Sequence, residues 1–195
     1  LSQLVEVLLT LARSDAGELP LLREVVPVVP LLKKLTEPYR AVAAERQLDF
    51  ALEVGDLSTL KLDTDPLLLG RALANLLDNA CKFCPPRSTI RLRAEHTVDE
   101  LRVAVIDSGP GMSSDESERA GERFFRGAKH RGSTDGFGLG LAITKEFVAA
   151  LGGSFELRSA PGRGTAATLR LPLSRAESVD ADGQLARWRD LDGQL

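Results

Sequence analysis

The chain has 195 residues, 43% hydrophobic and 27% charged, which suits one soluble globular domain with a sizeable core and an appendage. A formal net charge of -3 gives no reason to expect a nucleic-acid partner, since such surfaces carry a basic patch. No apolar run approaches the ~18 residues of a membrane span, and no signal peptide is visible. The chain starts at Leu1, without Met and already in helical periodicity, so it reads as a segment of something longer with room for a membrane anchor upstream.

Leu1 to Ala12 is apolar at 1, 4, 5, 8, 9, 11 and 12, a helical pattern that Gly17 ends. The apolar stretch Leu19 to Val26 suggests a strand. Pro27 and Pro30 open a helix over about Val28 to Glu45, which Pro38 should kink. Leu48 to Leu52 and Leu57 to Leu62 read as short strands around the Gly55-Asp56 turn. Asp63-Thr-Asp-Pro66 is a helix start, with Asp or Thr as cap and Pro in the first turn, and Pro85-Pro86 is the stop.

On that helix Leu69, Leu73, Leu76, Leu77 and Ala80 share one stripe, while Asn75, Asn79 and Lys82 share the next. Asn is a mediocre helix former. A pair of them one turn apart beside a Lys fits either a solvated polar face or a face that offers amides and an ammonium to a ligand. Cys81 and Cys84 form C-x-x-C, but no second ligand pair accompanies them, and two reduced thiols are the simpler reading.

Thr89 to Ala94 and Leu101 to Ile106 are the next strands, the second apolar enough at its end for a central position. Asp107-Ser-Gly-Pro-Gly111 follows. A carboxylate at a strand end, with Gly109 and Gly111 beyond it, can accept from an exocyclic amine of a flat ligand; it is equally an ordinary turn. Ser113 to Asp135 lacks periodicity, is rich in charge and Gly, and contains Glu122-Arg-Phe-Phe-Arg126. Loops of that length in compact domains are usually functional or disordered. Gly136-Phe-Gly-Leu-Gly-Leu141 then opens a helix reaching Gly152, and glycines before a helix N-terminus suit a phosphate. The pattern is neither a dinucleotide fingerprint nor a P-loop. Ser154 to Arg158 and Thr165 to Leu171 close the domain as a hairpin, and an acidic, polar tail begins at Ser174.

Taken together, the Asn-bearing helix, D-x-G-x-G, F-F-R, G-x-G-L-G-L and G-x-G-T in this order resemble the catalytic ATP-binding domain of bacterial sensor histidine kinases, within the wider family of gyrase, heat-shock chaperone and mismatch-repair ATPases. The likeness covers about Leu48 to Leu171, and Leu8 to Gly17 resembles the end of the second dimerisation helix that precedes such a domain. The resemblance implies an α/β fold: a two-layer sandwich of a mixed β-sheet covered on one face by helices, over residues 18–173, with a lid at about 112–136. Residues 1–17 would end the dimerisation helix and 174–195 would be an appendage.

It also implies ATP and Mg²⁺ as ligands. Asn79 would bind the metal, Asn75 and Lys82 would support the phosphates, and Phe83 would lie near the adenine. Asp107 would accept from the adenine amine beside Gly109 and Gly111, with Thr165 assisting. Arg126 would meet the terminal phosphate, while Gly136, Gly138, Leu139 and Gly140 would pass close to the phosphates. The implied partners are the chain's own upstream dimerisation and phosphotransfer domain, a second copy in a homodimer, and a response regulator receiver domain. The implied place is the cytoplasm, in a protein anchored in the inner membrane.

Two departures accompany the likeness. Neither His96 nor His130 is followed by the acidic residue, in a helical setting, that a phosphoacceptor has. Ala120-Gly121 stands where the family usually has a large apolar residue before Glu-Arg-Phe, which would leave the lid poorly anchored. Rival readings are another ATPase or serine kinase of the same fold, a regulatory module without chemistry, and a thiol or metal protein.

Overall fold

A computed structural model describes residues 20–127 and 137–173 of the chain. The expected N-terminal helix, the tail, Gly136 and His130 lie outside the described residues.

A five-stranded sheet forms the platform, in the order β2 (Asp49–Val54), β4 (Thr89–His96), β5 (Glu100–Asp107), β7 (Gly164–Pro172), β6 (Ser154–Ala160). Only the β2–β4 pair is parallel, so the sheet is mixed. Alternation along the strands explains why helices cover one face. Ile90, Leu92 and Ala94 of β4, with Leu101, Val103 and Val105 of β5, are buried. The intervening Arg91, Arg93, Glu95 and Arg102 point the other way. That open face is laced with ion pairs, Arg93 to Glu53 at 2.9 Å and Arg170 to Glu156 among them. Strand β5 lies at the centre, as its apolar run suggests.

Three longer helices make the second layer: α1 (Val28–Glu45), α2 (Pro66–Phe83) and, after the short α3 (Ser114–Arg119), α4 (Gly140–Ala150). Helix α1 runs unbroken through Pro38. The proline stands on the exposed side, and the carbonyl left without a donor is that of the exposed Lys34, where water can serve. Helix α2 supplies the connection that a parallel strand pair needs.

Three expectations need correction. The first strand is β1 (Glu24–Pro27), shorter than Leu19 to Val26. The apolar run from Leu57 becomes β3 (Lys61–Thr64), and it pairs with β1 in a separate two-stranded sheet. Leu57 is apolar because it is buried in the preceding turn at 1% exposure, not because it lies in a strand. Finally, the stretch after Ser113 is not wholly irregular. Ser113 and Glu116 close a capping box, with Ser113 Oγ accepting from the Glu116 N–H at 3.2 Å, and this starts α3.

Candidate functional site

Helix α2 begins at Asp65, whose Oδ1 accepts from the N–H groups of Leu67 and Leu68 at 3.0 Å each, with Pro66 in the first turn. Its stripe of Leu69, Leu73, Leu76, Leu77 and Ala80 is buried. At about 25 cal/mol per Å² of apolar surface, each leucine contributes roughly 2 kcal/mol to docking the helix on the sheet and on α4. Burying that stripe leaves Asn75 and Asn79 half-buried on its shoulder.

There they meet the glycine segment. Asn75 Nδ2 donates to the Gly140 carbonyl at 3.3 Å. A Cβ built on Gly140 would stand 3.9 Å from Asn79 Nδ2 and 4.0 Å from Asn75, with nothing nearer, so the space in front of Gly140 faces both amides. The Leu139 side chain is buried, and as the residue capping α4 it offers the first-turn N–H groups no side-chain acceptor. Gly138 has φ +69, and a Cβ there would collide with the Phe125 carbonyl oxygen. The glycine lets the F-F-R segment lie against the box: the Phe124 N–H donates to the Gly138 carbonyl at 2.9 Å, and the Arg126 stem runs beside Gly138. At the far end of α2 the Lys82 ammonium sits 5.0 Å from the centre of the Phe83 ring.

The second group forms where β5 ends. Asp107 lies between Ile90 and Thr165 of the neighbouring strands. Its carboxylate accepts from the Gly109 N–H at 2.8 Å, and also from the Cys84 thiol and the Thr165 N–H. Burial nevertheless raises its pKa above the ordinary carboxylate value, because these three donors offset only part of the lost hydration. Gly111 and Gly164 serve close backbone approach here. A Cβ on Gly111 would run into the Ala160 carbonyl, and one on Gly164 into the Asp107 carbonyl. Thr165 Oγ1 lies 3.0 Å from Ser159 Oγ.

The structure therefore assembles Asn75, Asn79, Gly138, Leu139, Gly140 and Arg126 on one side, and Asp107, Gly109, Gly111 and Thr165 on the other. Helix α2 touches both, through Asn75 and through Cys84, its C-terminal capping residue. Lys82 and Phe83 are the last two residues of α2 before Cys84. Sequence reasoning read Cys84 only as half of C-x-x-C and gave it no part in the site. Its sole signal was position, one residue before Pro85-Pro86 at the end of the site helix. Both cysteines are free thiols, and among the described residues no cluster of three His, Cys, Asp or Glu could hold a metal.

The profile of the histidine kinase-, DNA gyrase B-, and HSP90-like ATPase family matches residues 64–175, more than half of the chain. The chain belongs to this family. Among curated relatives, the sensor protein SrrB of Staphylococcus aureus is 32% identical over 174 residues, 88% of this chain and 29% of SrrB. The sensor-like histidine kinase SenX3 of Mycobacterium bovis is 34% identical over 194 residues, 98% of this chain and 47% of SenX3. The chain thus spans less than half the length of either. Full-length ShkA, solved in complex with AMPPNP, superposes with a TM-score of 0.77 at 30% identity, covering 90% of this chain and 36% of ShkA. The chain carries the catalytic ATP-binding domain of a two-component sensor histidine kinase.

In this kinase domain the departure at Ala120-Gly121 has a physical counterpart. The Lys145 side chain of α4 lies across Gly121, in the space that a side chain there would fill. Arg119 stacks on Phe125 at 4.4 Å from the ring centre. These contacts involve Arg119, Gly121 and Phe125, and residues 128–136 lie outside the described residues. No described helix is long and apolar enough to cross a membrane.

Proposed function

We propose that the kinase domain binds Mg-ATP between α2 and the glycine segment, with the adenine at Asp107 and the phosphates before Gly140. The observation that carries this reading is that one helix touches both halves of the site, Gly140 through Asn75 and Asp107 through Cys84. Asp107, held by two backbone donors, keeps acceptor capacity for the adenine amine. Gly109, Gly111 and Thr165 shape that end, and Phe83 flanks the base. Asn75, Lys82, Arg126 and the N–H groups at the start of α4, near Gly138, Leu139 and Gly140, orient the phosphates and offset their charge.

The donor set suits Mg²⁺. An amide oxygen from Asn79 is a hard ligand, and a site with few protein ligands is how Mg²⁺ binds when phosphates complete its shell. Bound there, the ion would neutralise charge on the transferred phosphoryl group. The chain's own residues supply positioning, which is most of what phosphoryl transfer requires.

The γ-phosphoryl would pass to a histidine on a dimerisation domain upstream in a homodimeric protein, and from there to a response regulator receiver domain. Among the described residues His96 is a poor acceptor. It lies six residues from Ile90, the residue opposite Asp107, so roughly 20 Å away at about 3.3 Å per residue along β4. We place the domain in the cytoplasm, beside its ATP supply, with a membrane anchor elsewhere in the longer protein.

Incubation with labelled ATP and Mg²⁺, with and without the upstream segment, tests the transfer step. The chain alone should bind ATP and take up no acid-labile label, and adding the dimerisation segment should restore labelling. Label on the isolated chain would overturn the placement of the acceptor.

A further inference from the structure

Three donors hold the Asp107 carboxylate, and two of them are backbone groups fixed by the turn at Gly109 and by the β5–β7 ladder. The third, the Cys84 thiol, is the only side chain among them.

Its geometry is determined from several directions. Cys84 caps α2 with its own N–H on the Ala80 carbonyl at 3.1 Å, and Pro85 restricts it to the extended conformation seen, φ -71 and ψ 130. A Cβ on the buried Gly109 would lie 2.8 Å from Asp107 Oδ1 and 3.1 Å from Cys84 Sγ, so oxygen and sulfur converge over that glycine. The buried Ser88 hydroxyl hydrogen-bonds to the sulfur, and the Cys84 S–H in turn meets Asp107. Burial, with the nearby Asp107 charge, pushes the thiol pKa up to about 12, so the S–H remains a donor at neutral pH.

We propose that Cys84 is a positioning residue for nucleotide binding, its thiol holding Asp107 in the orientation from which the carboxylate accepts the adenine amine. This rests on the assignment of Asp107 to the adenine given above. The thiol makes no contact with the reacting phosphates and acts only through Asp107. Turning the carboxylate away would cost affinity for a base with an exocyclic amine and leave a base without one unaffected.

Calorimetric titration of the 195-residue chain with ATP and with ITP, whose base carries a carbonyl in place of the amine, reads this out. Cys84→Ala should weaken ATP by about fivefold, less than the tenfold or more of a whole charged hydrogen bond because two backbone donors still hold Asp107, and change ITP by less than about twofold. Cys84→Ser keeps a donor and should restore both the ATP affinity and the preference over ITP. Should Cys84→Ala fail to fold, Cys84→Val keeps the bulk without the donor and takes its place. Asp107→Asn, measured alongside, should lose most of the preference.

The inference is overturned if Cys84→Ala binds ATP as wild type while Asp107→Asn does not. A serine variant as weak as the alanine one overturns it too, because the sulfur would then serve packing alone. Asp107→Asn with full affinity and full preference would instead remove the adenine assignment itself, with the role of Cys84 along with it.

Discussion

At the scale of single residues, Asp107 shows how the site opposes stability. Its carboxyl pKa is raised in the folded domain, first by burial. A group whose folded pKa exceeds its unfolded value adds stability at low pH, and that stability is lost as pH rises through the folded pKa. At neutral pH the ionised Asp107 is therefore a cost to the nucleotide-free fold. Asp107→Asn removes the charge and keeps an acceptor oxygen for Gly109. The variant should melt no lower than wild type without nucleotide, while ATP binds about tenfold or more weakly, in line with ~1.5–3 kcal/mol for a charged hydrogen bond. Thermal melts with and without ATP check both halves. A large drop in the nucleotide-free melting temperature would show that Asp107 is structural. The same residue marks what sequence could and could not reveal. A carboxylate ending an apolar strand is visible in the sequence. That Gly111 is needed by the Ala160 carbonyl, and that a cysteine 23 positions upstream completes the carboxylate's shell, depends on contacts between distant segments that no spacing rule encodes.

At the scale of elements, α2 was the most legible part, because its cap, proline, apolar stripe and stop all agree. What the sequence hid is that Asp65 works twice. Oδ1 caps α2, while Oδ2 accepts from the N–H of Leu22 in the segment leading into β1, at 3.0 Å. Asp65→Ala should destabilise the domain by about 1–3 kcal/mol, a lost cap of ~1 kcal/mol plus a buried bond to the entering segment. Asp65→Asn should fall between, since one oxygen can still cap. Denaturant midpoints would separate the two terms: equal losses would mean that the cap contributes nothing, and an Asn variant as stable as wild type that the Leu22 bond contributes nothing. The less legible elements fail for equally physical reasons. Helix α3 has no buried residue and hence no apolar period, although its Ser113-Ser-Asp-Glu116 signature was there to be read. Strand β3 is four residues long and half exposed, too short for alternation to fix its ends.

At the scale of the whole molecule, the start of α2 and the C-terminus of α4, the two helices that flank the site, are tied by the same incoming segment. Asp65 ties residue 22 to the start of α2. Arg23 ties the segment to the other end of α4, donating to the Leu151 carbonyl at 2.9 Å and to the Asp63 carbonyl at 3.1 Å. A guanidinium on the C-terminal carbonyls of α4 also suits the helix dipole. Arg23→Ala removes both bonds from a partly exposed position, so a loss of ~1 kcal/mol is expected, roughly 2–4 °C in melting temperature for a domain of this size. Arg23→Lys should recover little of it, because a single ammonium lacks the fork that reaches two carbonyls at once. ATP affinity should stay within about twofold, since the Asn75–Gly140 contact lies at the opposite end of α4 and well-separated sites act nearly independently. Unchanged melting would show the Arg23 clamp to be energetically idle. A fall in ATP affinity without a fall in melting temperature would show instead that the entering segment sets the spacing between α2 and α4 at the nucleotide.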